Sequence, residues 1–277
     1  MIKRELYLTD TTLRDGEQRP GLVLDDEQKC RLALLLDRAG VRQIDAGIPA
    51  MGPEEQRVIT RILENRVRAE ISVWNRMDER DIRMAMECAP DIIHISAPAS
   101  YVHIYSKLKK NKNWLVTNLM RCVSLARDKG FAVTVGFEDA SRADMTFLTG
   151  LSRRLAELGV SRVQFSDTVG VLTPGRTFDC VSELLRVGGL PVSFHGHNDL
   201  GFAVANAIAA ARAGAEAVET TLFGLGERAG NCDMTAFIRA ASTAFAMRPA
   251  IHDCSVIEKQ AHVILLGLGQ SAQNGQG

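Results

Sequence analysis

The stretch SFHGHNDLGFAVAN places His195, His197 and Asp199 within five residues, directly before a run of small residues. Side chains two apart on a strand point to the same face, so His195 and His197 present two imidazoles side by side. A carboxylate from a neighbouring strand would complete a three-ligand metal site. Asp15 of TTLRDGEQRPG is the candidate, with Asn231 of GLGERAGN as a fourth donor. Two nitrogens with oxygen ligands suit a borderline divalent ion such as Zn²⁺, Mn²⁺ or Fe²⁺, and Mg²⁺ is also admissible. Such a site keeps adjacent positions open. An α-keto acid can fill two of them through its keto oxygen and one carboxylate oxygen, and the ion then polarises the carbonyl. The competing reading is a pair of histidines that only pack and hydrogen-bond locally.

Arg14 immediately precedes Asp15, so one of the two must face outward unless the strand turns there. Facing inward, its guanidinium is a fixed positive charge for a developing oxyanion. Facing outward, it is a surface ion pair of little worth. Glu138, closing the run FAVTVGFE, is either a proton-transfer group or a salt-bridge partner of Arg142. Gln18 follows the first strand-like run, His94 is carried by the fourth and Thr168 ends the sixth.

These residues need elements that bring such ends together. Eight β-like runs, over 6–13, 41–47, 69–75, 91–97, 131–138, 162–168, 191–197 and 217–224, alternate with helix-like runs. Helix starts are marked by Asp25 with Gln28 as a capping box, by Pro53, and by Thr173 before Pro174. The eighth helix is expected at about 233–246. Eight strand–helix units with short links are what a closed (β/α)8 TIM barrel requires, and its functional residues gather at the C-terminal strand ends. The expected fold is therefore an α/β barrel forming a single domain over 1–250. A short C-terminal helix and a frayed polar tail, ending GQSAQNGQG, are expected over 251–277. An open doubly wound sheet usually carries a G-x-G-x-x-G turn after its first strand, which TTLRDGEQRPG lacks.

The 277 residues, 46% hydrophobic and 24% charged, hold ample material for one core. Lys+Arg 33 balance Asp+Glu 33, so nothing in the charge favours nucleic acid or a membrane surface, and small molecules are the expected ligands. Without an apolar run of about 18 residues or a signal-like start, a soluble cytoplasmic protein is expected. Cys30, Cys88, Cys122, Cys180, Cys232 and Cys254 form no C-x-x-C pair and read as reduced, small apolar residues.

DTTLRDGEQRPG, AGIPAMGPEE, HISAPASYVHIYSKL, FEDASRAD, SDTVGVLTP and HGHNDLGFAVANAIAAARAGAEAVETTLFGLGERAGN together resemble the 2-isopropylmalate synthase and homocitrate synthase family. These are metal-dependent TIM-barrel enzymes. The resemblance spans roughly residues 5–245 and is greatest to the homocitrate synthases of nitrogen-fixing bacteria. It implies a Claisen condensation: acetyl-CoA is enolised, its methyl carbon attacks the keto carbon of a metal-bound α-keto acid, and the thioester is hydrolysed. By the resemblance, Asp15, His195 and His197 bind the metal (Mn, Mg or Zn), with Asn231 a direct or water-mediated fourth. Arg14 and Glu138 match the catalytic pair, Thr168 the position holding the keto acid carboxylate, and His94 and Gln18 substrate-pocket positions. With 2-oxoglutarate as the keto acid the product is homocitrate, and Arg76 is the candidate cation for the distal carboxylate. Family members carry a C-terminal histidine motif of the kind H-x-S-G-I-H. After Gly230 this sequence has only His252 and His262. The expectation is a homodimer, or a complex with a separate chain bearing the C-terminal region, and a barrel that binds better than it turns over.

Four alternatives stand beside this. One is an isopropylmalate- or citramalate-type synthase. Another is a lyase like the hydroxymethylglutaryl-CoA cleaving enzymes, whose Cys-bearing Gly-rich loop differs from GERAGNCD. The third is a two-His-one-carboxylate Fe(II) oxygenase, and the last a subunit that only binds a metabolite or partner chain.

Overall fold

The structure, a computed structural model, describes residues 3–247, 250 and 253–267. Its strands are β1 (Arg4–Asp10), β2 (Gln43–Asp45), β3 (Glu70–Arg76), β4 (Ile92–Pro98), β5 (Ala132–Glu138), β6 (Arg162–Asp167), β7 (Val192–Gly196) and β8 (Ala217–Thr220). Each pairs in parallel with the next, and β1 pairs with both β2 and β8, so the sheet closes on itself. The closing register sets Asp10 opposite Ile44 on one side and Thr220 on the other. Helices α1 (Asp26–Ala39), α2 (Pro53–Asn65), α3 (Glu79–Glu87), α4 (Lys112–Arg127), α5 (Met145–Glu157), α6 (Pro174–Gly188), α7 (Ala203–Ala213) and α8 (Met234–Ala241) follow the strands in turn. This is the expected (β/α)8 barrel.

Alternation along the strands produces the layering. In β4, Ile93 and Ile95 point out under the helices, while His94 and Ser96 point into the barrel. In β5, Val133, Val135 and Phe137 point out, leaving Thr134, Gly136 and Glu138 inside. Each fully buried aliphatic or aromatic side chain contributes on the order of 1.5–3 kcal/mol. The strand–helix interface therefore carries the stability, which frees the interior for polar groups. Gln43, for example, donates to Ser72 Oγ at 2.9 Å inside the barrel.

The expected helix starts are present. Asp25 and Gln28 form a reciprocal capping box at α1, and Pro53 and Pro174 occupy first turns of α2 and α6. The expected eighth helix is corrected. It stops at Ala241, and Phe245–Met247 form a short strand, β9, parallel to the start of β1. Pairing with the unoccupied edge at Arg4–Leu6 satisfies backbone groups that the helical pattern alone left undecided. A last helix, α9 (Cys254–Leu265), lies against α1, adds Ile257, Ala261 and Ile264 to the barrel core, and offers the Ile264 carbonyl to Gln28 Nε2 at 2.8 Å. The expected tail over 268–277 and His252 lie outside the described residues. No described helix is long and apolar enough to cross a membrane.

Candidate active site

β1 ends at Asp10, before the expected strand end, and the chain turns sharply. The Thr11 carbonyl accepts from the amides of Arg14, Asp15 and Gly16 at 3.2, 2.9 and 3.0 Å. This turn removes the conflict between neighbours on a strand, because both side chains now reach the mouth. Arg14 Nη1 donates to Asp15 Oδ2 at 2.9 Å and its Nε to Asp45 Oδ2 at 2.7 Å. Burial works against the charge on Arg14, but Asp45 and Asp15 outweigh it and hold the guanidinium more firmly protonated than usual.

His195 closes β7 with Gly196, and His197 follows in a bridge to Asn231. Their Nε2 atoms stand 3.2 Å apart, and Asp15 Oδ2 lies 3.5 Å from the first and 3.9 Å from the second. All three residues are buried. Two nitrogens each about 2.1 Å from one Zn²⁺-like ion span roughly 3.0–3.4 Å, so the imidazole edge has the width such an ion needs. Two imidazole lone pairs and a carboxylate converging in a buried place require a proton or a cation between them. Asn231 Nδ2 donates to Asp15 Oδ1 at 2.8 Å, and its buried Oδ1 has no hydrogen-bond partner. The donor set fits a divalent ion, with Asp15, His195 and His197 to hold it and the Asn231 amide alongside.

Electrostatics agree. Burial raises Asp15, but Arg14, His195 and His197 more than offset it and bring the carboxyl down to about 2. Burial, then the neighbouring His195, pushes His197 down to about 4, so at neutral pH its ring is uncharged and ready to ligate. His195 is raised: burial opposes its charge, while the hydrogen bond to Glu219 and the charges of Asp15 and Glu219 favour it. Glu219 Oε2 sits 3.2 Å from His195 Nδ1, which reserves Nε2 for the ligand side.

The rest of the mouth is a cavity of about 270 Å³ whose lining includes Gln18, Trp74, Ser96, Glu138, Thr168 and Lys107 beside the residues above. Ser96 donates to Glu138 Oε1 at 2.7 Å. Burial raises Glu138, but His103, Ser96 and Lys107 together leave it below the usual carboxylate range. Arg142 binds both oxygens of Asp139 rather than Glu138, which removes the salt-bridge reading of Glu138. Thr168 Oγ1 accepts from the Asp139 amide at 2.8 Å at the cavity edge. His94 is buried and does not line the cavity, its Nδ1 lies 2.9 Å from Thr134 Oγ1, and burial pushes it down to about 4. Arg76, the expected cation for the distal carboxylate, is largely exposed and does not line the cavity, and Asp81 of α3 holds its guanidinium with both oxygens at 2.7 and 2.9 Å. The lysine that lines the cavity is Lys107.

The pattern of the HMGL-like family matches residues 5–263. The chain belongs to that family. Among HMGL-like relatives, the homocitrate synthase subunit alpha of Clostridium pasteurianum is 43% identical over 234 residues, covering 84% of this chain and 87% of that one. The homocitrate synthase of Frankia alni is 47% identical over 222 residues. This alignment covers 80% of the present chain and 63% of the Frankia protein, under two thirds of its length. The 2-isopropylmalate synthase 2 of Caldanaerobacter subterraneus subsp. tengcongensis is 38% identical over 267 residues, 96% of this chain and 69% of that one. The hydroxymethylglutaryl-CoA lyase of Pseudomonas aeruginosa superposes with a TM-score of 0.81 over 98% of this chain and 96% of its own. At 19% identity, that likeness speaks for the fold alone.

Four groups at this HMGL-like site were not singled out in the sequence: Asp45, His103, Lys107 and Glu219. Asp45 ends β2, so the strand-end rule that picked Glu138 applies to it equally. Glu219 lies within β8 and points inward, detectable from alternation once the register with β1 is known. His103 and Lys107 sit on the turn after β4, where no periodicity gives a direction.

Proposed function

We propose that this chain catalyses the condensation of acetyl-CoA with an α-keto acid, by way of a divalent ion held by Asp15, His195 and His197. The reading is carried by one arrangement: three converging ligand groups, with Arg14 bonded to one of them and Glu138 lining the same cavity. The synthase names of the sequence relatives support it. When bound, the ion supplies Lewis-acid polarisation of the keto carbonyl. Arg14, held between Asp15 and Asp45, keeps a fixed positive charge where oxyanion character develops. Glu138, ionised and hydrogen-bonded by Ser96, is a proton acceptor. Thr168 and Gln18 bind the keto acid.

Two relatives named homocitrate synthase support 2-oxoglutarate as the keto acid, with homocitrate as product. Its distal carboxylate is assigned to Lys107, the lysine of the cavity wall, in place of Arg76. An isopropylmalate- or citramalate-type keto acid is the alternative within the same chemistry. A relative named as a subunit supports a second chain working with this one.

The test is CoA release from acetyl-CoA across a keto acid panel, with and without the C-terminal region of the Frankia relative in trans, on protein of measured metal content. We expect one divalent ion per chain, lost in His197→Ala, and the fastest release with 2-oxoglutarate. Unchanged metal content in His197→Ala removes the metal assignment, and no CoA release under any condition removes the function.

A further inference from the structure

Residues Val102–Lys107 form a single π-turn between β4 and α4, with the Leu108 amide donating to the His103 carbonyl at 3.0 Å. The i→i+5 bonding of a π-turn widens it, so residues four apart come to nearly the same face, and such turns recur at functional sites. His103 and Lys107 both line the cavity, while Ile104 between them is fully buried and anchors the turn. The Ser100 hydroxyl accepts from the His103 amide at 3.1 Å and fixes the backbone under the ring.

The His103 side chain is 14% exposed and stands between two carboxylates, with Nδ1 3.7 Å from Glu138 Oε2 and Nε2 3.8 Å from Asp139 Oδ2. Asp139 is already held by Arg142 on both oxygens, and Glu138 Oε1 is taken by Ser96. What remains is Glu138 Oε2 facing a buried imidazole nitrogen that has no hydrogen-bond partner. Catalytic hydrogen bonds are often this long in the free enzyme and tighten when substrate closes the site.

The geometry points to His103 as the proton-carrying partner of Glu138, an acid–base pair supplied wholly by the barrel. This rests on the condensation reading. A carboxylate held below its usual range is by itself a weak acceptor for a thioester methyl proton, and the imidazole facing its free oxygen can carry that proton onward. In the step assigned, the methyl C–H bond breaks, its electron pair becomes the enolate π-bond, and the Glu138–His103 pair takes the proton. The enolate carbon bonds to the keto carbon, the keto oxygen becomes an alkoxide, and the pair returns one proton to it. In hydrolysis, water adds to the thioester carbonyl, its proton passes to the pair, and the departing CoA sulfur receives it. The pair ends as it began. Carboxylates beside both ring nitrogens stabilise the transient imidazolium.

The test compares His103→Ala and His103→Gln with the wild-type chain, each loaded with Mn²⁺, using the keto acid that the wild type turns over fastest. Both variants are expected to lose on the order of a hundredfold or more in kcat, with KM for the keto acid within about twofold. Added imidazole should restore His103→Ala saturably and leave His103→Gln, whose side chain fills the space, unchanged. Exchange of the acetyl methyl deuterons with solvent should fall in the same proportion. An undiminished kcat in either variant, or a loss that Gln repairs and imidazole does not, makes His103 a packing residue and overturns the proposal. Melting curves and keto acid calorimetry on both variants separate lost chemistry from lost fold, and His103→Gln decides the matter if His103→Ala does not fold. No CoA release by the wild type sinks the condensation reading itself. Wild-type release with a normal His103→Gln rate sinks His103 alone.

Discussion

Glu219 and Asp45 are buried carboxylates that touch the site through other side chains. Glu219 faces His195 Nδ1 and also accepts from Gln164 Nε2, so it fixes both the ring's orientation and the nitrogen left for the proposed ion. Such outer carboxylates typically govern metal affinity by about 10–100-fold, and Glu219→Gln is expected to lose that much in a metal titration with the barrel still folded. Equal affinity in the variant would mean that His195 is oriented by its backbone alone. Arg14→Ala removes the shared partner of two buried carboxylates, so it should cost about 3–5 kcal/mol in urea unfolding as well as on the order of a hundredfold in turnover. Near-normal turnover in Arg14→Ala would return the guanidinium to a structural role. His94 offers a test by pH. Burial holds it at about 4, and unfolding lets it titrate near about 6.5. Between those values the unfolded chain carries the extra proton, so stability is complete above about pH 6.5 and is lost as pH falls towards 4, by roughly 3 kcal/mol. The wild-type advantage over His94→Gln should shrink by that amount over this window. A pH-independent difference would show that the folded ring takes up its proton as readily as the unfolded one.

At the scale of elements, the site is made where strands stop. The three amides on the Thr11 carbonyl turn the chain after β1, and this turn, not the strand, aims Arg14 and Asp15 together. The loop after β8 has a matching requirement. Gly226 has φ +157°, and a Cβ there would stand 2.1 Å from Asn231 Nδ2 and 3.1 Å from Asp15 Oδ1. Gly226→Ala should push the Asn231 amide off Asp15, destabilise the fold by about 1–3 kcal/mol and weaken metal binding. Calorimetric metal binding equal to wild type, with a lowered melting temperature, would confine the glycine to backbone strain. The π-turn after β4 works in the same way, its buried Ile104 holding His103 over the cavity.

For the whole molecule, the proposed ligands lie far apart in sequence and meet across the closure of the barrel. Asp15 follows β1, His195 lies in β7 with His197 just beyond its end, and Asn231 follows β8, so an ion held as proposed would tie the first strand to the last two. A ligand that binds only the closed form at about 100 times its Kd adds about 2.7 kcal/mol. In a protein somewhat above 150–250 residues, where each kcal/mol moves Tm by about 2–4 °C, Mn²⁺ should raise Tm by roughly 5–10 °C. The rise should be absent in His197→Ala. A melting temperature indifferent to the ion in the wild type would mean that the three groups do not bind it together.

The barrel was legible in the sequence because its signals are local: the two-residue alternation within each strand, the caps at Asp25 and Pro174, and the strict strand–helix order. The histidine pair was legible for the same reason, since a two-residue spacing on a strand decides the facing by itself. Strand-end placement made Asp15 and Asn231 candidates, the resemblance to known synthases implied the same roles, and the structure brings both to the pair. Tertiary structure alone decided the rest. Arg76 stands at a strand end, as a substrate residue should, yet Asp81 five residues on captures it outside the cavity. The expected eighth helix runs on to about 246, yet the free edge of β1 pairs with Phe245–Met247 as a strand. Asp45, His103 and Glu219 join the site through partners 31, 35 and 24 positions away, at Arg14, Glu138 and His195. Side-chain direction at a turn, and the choice among partners distant in sequence, depend on hydrogen bonds that exist only once the barrel has closed.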